Sequence, residues 1–194
     1  MNICLYGASS NDIDPSFFKP VEALGAEMAG RGHRMIFGGG AMGLMGAAAR
    51  GMSSQNGEII GIAPTFFDKP GILYDKCTDF IFTQTMRERK ELMEKSSDAF
   101  LVVPGGIGTF EEFFEILTLK QLNQLNKPIA IFNVNGYYDA LLHLLDSTIE
   151  KGFMKESCRS IYAAFDGITA ISDMLDAIEK EHALPLDLTG LKNI

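Results

Sequence analysis

The sequence predicts an α/β protein with a doubly wound, mainly parallel sheet of about six or seven strands and helices on both faces, of the Rossmann-like type. Short apolar runs alternate with segments of helical periodicity along nearly the whole chain, and strand alternating with helix is the mark of a parallel sheet. The runs are apolar throughout rather than alternating apolar with polar, as strands covered on both faces must be.

In chain order the strand runs are residues 3–6, 35–37, 59–63, 80–82, 99–103, 129–132 and 161–165. The helical segments between them are 15–30, 43–54, 86–95, 109–124, 137–150 and 168–181. A length of 194 residues fits one domain with a full core. That domain is expected over residues 1–182, followed by a C-terminal extension at 183–194.

Composition narrows the partners. The formal net charge of −8 argues against extended nucleic acid, yet one local cation cluster could hold a small phosphorylated ligand. Cys4, Cys77 and Cys158 show neither metal-ligand spacing nor a disulfide framework, so a reducing compartment is the natural setting. Cys4 sits in an apolar run and reads as a buried small hydrophobe. No targeting segment is recognisable and no stretch approaches the length of a membrane span, so a soluble, cytoplasmic protein is expected, with no membrane partner. His33, His143 and His182 have no spacing that suggests a triad or a metal site.

In an open parallel sheet, ligands bind beyond the carboxyl ends of the strands. The unusual residues of this chain lie there. The first strand ends in Gly7-Ala8-Ser9-Ser10, the second in Gly38-Gly39-Gly40-Ala41-Met42-Gly43, and the fifth in Pro104-Gly105-Gly106-Ile107-Gly108-Thr109. Glycines let backbone N–H groups approach a phosphate, and a following helix N-terminus adds the positive end of a dipole. A single loop of this kind is explained by a tight turn with close helix packing; three at one sheet edge suggest a nucleotide cradle. Gly38, Gly40 and Gly43 also match the dinucleotide pattern G-x-G-x-x-G, but the next strand ends at Ala63-Pro64-Thr65 without the acid that would hold a ribose hydroxyl.

Two charged motifs follow strands. Met86-Arg87-Glu88-Arg89-Lys90 opens a helix with three cations, where the dipole disfavours them. They suit either a bound anion or a solvated face with i,i+4 pairs. Thr109-Phe110-Glu111-Glu112 reads as a capping box, Thr109 with Glu112, ahead of an apolar helix face. Capping leaves unexplained the proline and glycines just before it, which would set the Glu112 carboxylate one turn from a backbone nest.

The glycine run from Gly38 to Gly46, the Arg89-Lys90 pair, and Pro104-Gly105-Gly106-x-Gly108-Thr109-x-x-Glu112 together resemble the LOG-type cytokinin-activating phosphoribohydrolases, long labelled lysine decarboxylases. The resemblance runs over roughly residues 2–180. It implies hydrolysis of a nucleoside 5′-monophosphate, a cytokinin riboside monophosphate or AMP, to free base and ribose 5-phosphate. It further implies a homodimer or higher oligomer and neither metal nor organic cofactor. Arg89 and Glu112 match the catalytic pair. Ser9, Gly39, Gly40, Met86, Lys90, Gly105, Gly106, Gly108, Thr109 and Thr118 are the candidate substrate contacts. Two departures stand out. Arg87 makes the entrance more cationic, and Thr65-Phe66-Phe67 replaces an acid found after the proline in many plant members. No lysine lies in an evident pyridoxal-phosphate motif. The rivals are a non-catalytic nucleotide-binding or molybdenum-cofactor carrier module of similar fold, and an NAD-dependent enzyme.

Overall fold

A computed structural model of the chain describes residues 1–183. Seven strands form one sheet: β1 (Asn2–Tyr6), β2 (Arg34–Phe37), β3 (Ile59–Pro64), β4 (Asp79–Thr83), β5 (Ala99–Val102), β6 (Ile129–Phe132) and β7 (Ala163–Phe165). Their order is β4-β3-β2-β1-β5-β6-β7 and every neighbouring pair is parallel. The α-helices are α1 (Phe18–Gly30), α2 (Gly43–Ser54), α3 (Met86–Ser96), α4 (Ile107–Gln121), α5 (Asp139–Glu150) and α6 (Ile168–Ala183). The expected extension at 183–194 lies outside the described residues, apart from Ala183, which ends α6.

The largely apolar strands divide their side chains between two cores by the period-two alternation of a pleated backbone. Along β1, Ile3 and Leu5 join Met35 and Phe37 under Val21, Leu24 and Met28 of α1, the alanines of α2 and Ile171 of α6. Cys4 and Tyr6 face the other way, with Ile36, Ile62 and Phe100, against Met93 of α3, Phe113 and Ile116 of α4 and Leu145 of α5. Cys4 is fully buried, as its apolar run suggests, and burial pushes its thiol up to about 12. It therefore stays a neutral, unreactive thiol at physiological pH. Among the described residues no helix is long and apolar enough to cross a membrane.

Chain direction sets where a ligand can enter. Strands β1 to β4 are laid outward in one direction, and the chain then returns to place β5 on the other side of β1. The order reverses between β1 and β5, so the crevice beyond their carboxyl ends is the topological switch point. The loops that flank it are Gly7–Ser10 and Pro104–Gly106.

Several element boundaries move, three of them with a clear local cause or consequence. A 3-10 turn over Pro15–Phe17 precedes α1, because the Asp14 carboxylate accepts from Ser16 N–H (2.8 Å) and tightens the entry. The last strand is shorter than expected, since Ile161 ends a 3-10 turn over Glu156–Ser160. The helix after β5 spans Ile107–Gln121 rather than 109–124, with consequences for the site.

Candidate functional site

At the switch point lies a cavity of about 640 Å³, within the few hundred to about 1,000 Å³ of small-molecule sites. Its walls come from the loops after β1, β2, β3 and β5, the first turns of α2, α3 and α4, and Tyr137.

Arg89 and Glu112 meet in this wall. Arg89 Nη1 donates to Glu112 Oε1 at 2.8 Å, and Arg89 Nε donates to the carbonyl of Ile62 on β3 at 3.3 Å. The two side chains are 8% and 11% exposed, so the pair is largely withdrawn from water while keeping a face on the cavity. The local sequence dictates this placement. Thr85 caps α3, its hydroxyl accepting from Glu88 N–H at 3.1 Å, while the Glu88 carboxylate accepts from Gln84 N–H at 2.8 Å. That reciprocal cap fixes the first turn, and Arg89 emerges one turn later on the inward side. Its guanidinium lies across Gly38, where an added Cβ would stand 2.4 Å from Nη2. Burial pushes the Glu112 carboxyl above the ordinary glutamate range, against the opposing pull of the Arg89 guanidinium.

The capping box expected at Thr109 and Glu112 does not form. Gly106 is the cap residue, in an extended conformation, and Thr109 lies inside the helix. The sequence offers T-x-x-E twice, and only Thr85 with Glu88 uses it. Thr109 is instead buried against Gly105, where any Cβ would sit 2.1 Å from its hydroxyl. Glu112 consequently stands in the second turn of α4 and turns to Arg89. With glycine at the cap, no side chain covers the helix end. The first intrahelical bond runs from Phe110 N–H to the Gly106 carbonyl at 3.0 Å. The amides ahead of it, in residues that line the cavity, are left for a ligand.

The glycine loop after β2 is built differently. Gly43 N–H donates to Asn11 Oδ1 at 2.8 Å, and the amides of Leu44 and Met45 donate to the Ala8 carbonyl at 2.9 and 3.2 Å. The N-terminus of α2 is therefore capped by protein. Gly43, at φ +62°, lies where a Cβ would stand 2.3 Å from the Ala8 oxygen, and one on Gly46 would stand 1.9 Å from the Ala41 oxygen. These glycines serve close packing. Of the three loops read as a cradle, the one before α4 offers its helix end to a ligand and the one before α2 does not.

Of the sequence-predicted site residues, Ser9, Gly40, Met86, Arg89, Gly105, Gly106, Gly108, Thr109 and Glu112 line the one cavity. Three stand outside its lining. Gly39, at φ +77°, is packed beneath Phe80. Lys90 pairs with Glu111 and, at 2.9 Å, with Glu115, clamping α3 to α4. Thr118 is on the exposed face of α4. Arg87 is exposed on α3, and Phe67 joins Met42 and Met86 in an apolar wall. Tyr137 carried no signal in sequence: it arrives from beyond β6, about thirty residues after the motif it meets. Among the described residues the lining contains no lysine.

Fold and site together define a Rossmann-like α/β protein with a buried acid–guanidinium pair at the switch point of its sheet. Residues 45–175 match the family model described as "Possible lysine decarboxylase". The chain is 30% identical over 180 residues to the cytokinin riboside 5′-monophosphate phosphoribohydrolase LOG2 of Arabidopsis thaliana, covering 93% of this chain and 84% of that protein. It is 33% identical over 176 residues to LOG5 of the same organism and the same description, covering 90% and 77%. It belongs to this family of phosphoribohydrolases and is an enzyme of the hydrolase class. The molybdenum cofactor carrier protein of Chlamydomonas reinhardtii superposes with a TM-score of 0.70 at 20% identity, over 92% of this chain and 98% of that one, a likeness of fold alone.

Proposed function

We propose that this enzyme hydrolyses the N-glycosidic bond of a nucleoside 5′-monophosphate, releasing the free base and ribose 5-phosphate. The observation that carries the reading is the Arg89–Glu112 pair, held at 2.8 Å in the wall of the same cavity as the uncapped N-terminus of α4. An anion-ready helix end suits the 5′-phosphate. A partly buried carboxylate nearby suits the reacting sugar, as in other glycoside chemistry. In the reaction the C1′–N bond breaks, its electron pair leaves with the base, and water supplies the new C1′–O bond. Glu112 offsets the positive charge on the ribose and takes the proton of the attacking water. Arg89 orients the substrate and balances charge beside the departing base, whose nitrogen finally takes the proton that Glu112 received from water, so that the carboxylate is restored. The Met42, Phe67 and Met86 wall offers the base an apolar surface.

The substrate contacts in this reading are Ser9, Gly40, Met86, Gly105, Gly106, Gly108 and Thr109. Lys90 acts on the site through Glu111 and Glu115. Gly39 supports the loop from behind. The decisive experiment incubates the protein with AMP and with isopentenyladenosine monophosphate and separates the products by chromatography. Free base and ribose 5-phosphate in equal amounts are expected from at least one. Tight nucleotide binding without base release would instead place the chain among non-catalytic carriers of this fold.

A further inference from the structure

The loop that precedes α4 is held by an unbroken series of carbonyl contacts. The Val103 carbonyl accepts from Tyr138 Oη at 2.8 Å and that of Pro104 from Ala8 N–H at 3.0 Å. The Gly105 carbonyl accepts from Tyr137 Oη at 2.6 Å and that of Gly106 from Phe110 N–H at 3.0 Å. In a planar trans peptide, fixing one carbonyl also fixes the N–H of the next residue, which lies in the same plane and points the opposite way. These carbonyls thus set the direction of the three amides that follow them, those of Gly105, Gly106 and Ile107.

The two tyrosines differ in what they can control. Tyr138 grips the carbonyl ahead of Pro104, which has no N–H to direct. Tyr137 grips the carbonyl ahead of Gly106, so its hydroxyl decides where the Gly106 amide points. The ring is braced for this, edge-on to Phe17 with centroids 5.8 Å apart and to Tyr138 at 4.9 Å. We infer that Tyr137 is a positioning residue for phosphate recognition: its hydroxyl holds the Gly105–Gly106 peptide so that the Gly106 amide joins the open N-terminus of α4. The inference rests on the proposed reading, in which that helix end takes the 5′-phosphate.

The test compares two matched hydroxyl deletions, Tyr137→Phe and Tyr138→Phe. Ribose 5-phosphate binding is followed by calorimetry, AMP turnover by kinetics and folding by thermal melts. A lost neutral hydrogen bond is worth about 2- to 10-fold in an equilibrium. Tyr137→Phe should weaken ribose 5-phosphate binding by about 5-fold and raise KM by a similar factor, with kcat within about twofold. Tyr138→Phe strands a buried carbonyl; it should lower Tm by about 3–6 °C and leave the affinity within about twofold. Equal affinity in Tyr137→Phe and the unmodified protein, equal losses in both variants, or a loss confined to kcat would each overturn the inference while sparing the proposed function. An unmodified protein that fails to bind ribose 5-phosphate would remove both.

Discussion

The loops entering α2 and α4 look alike as strings of letters and behave as opposites. Both leave a central strand, both are rich in glycine and both open a helix at the same edge of the sheet. The α2 entry spends its glycines on contact, with its amides bonded to Asn11 and Ala8. The α4 entry has a glycine cap with no side chain over it, and an added Cβ at Gly106 or Gly108 would meet nothing within 4 Å. Glycine density therefore marks where backbone comes close to something. Whether that something is the protein's own backbone or a ligand is settled by the partners of the amides.

The largest effect that would sharpen this contrast belongs to the carboxylate beside the open loop. Glu112→Gln should lower turnover by about 10²- to 10⁴-fold while ribose 5-phosphate binding, read by calorimetry, stays within a few-fold. Near-normal turnover would falsify the role given to Glu112. Next come the glycines themselves. Gly46→Ala drives a methyl onto the Ala41 oxygen and should cost about 3 kcal/mol or more, a fall of at least about 6 °C in Tm. Gly108→Ala, in open space, should leave Tm within about 2 °C and raise KM. Equal stability losses at the two positions would erase the distinction.

A third effect concerns pH. Burial raises the Glu112 carboxyl above the ordinary glutamate range, so protonation begins earlier as pH falls. A reaction that needs the carboxylate is then fully active above the raised value and loses activity below it. The acid limb of kcat/KM should accordingly have its midpoint above 4.5, the ordinary glutamate value. A midpoint at or below that value contradicts the assignment. The smallest effect is Lys90→Met. Lys90 and Glu115 lie outside the cavity lining, Glu111 is at its edge, and these contacts are partly solvated, so the loss should be about 1 kcal/mol or less in urea melts. A collapse of turnover without loss of stability would return Lys90 to direct substrate contact.

The sheet was legible because its signal is local. Seven apolar runs without alternation predict seven strands, and all seven form; the five central ones are buried on both faces, whereas the edge strands β4 and β7 stay largely exposed or half-buried despite their apolar runs. Arg89 and Glu112 were legible as a pair through the family resemblance of the motifs that contain them, since charge and spacing by themselves left a solvated face and a helix cap as open readings. What escaped depends on contacts between distant segments. Thr109 resembles a helix cap by spacing, yet Gly106 lets the helix begin earlier, and the notch at Gly105 claims the threonine side chain. The cap that does form, at Thr85, was masked by the cations beside it. Tyr137 has no local pattern at all, because its partner is a carbonyl on another βα unit.

One residue ties these halves together. The N–H of Ala8 holds the Pro104 carbonyl, while the Ala8 oxygen receives Leu44 and Met45 from the first turn of α2. Ala8 is a hinge pin shared by the two arms of the sheet. Any molecule that tightens the α4 entry must also pull on the seat of α2 roughly a third of the chain away, so amide exchange at Leu44 and Met45 should slow when the cavity fills.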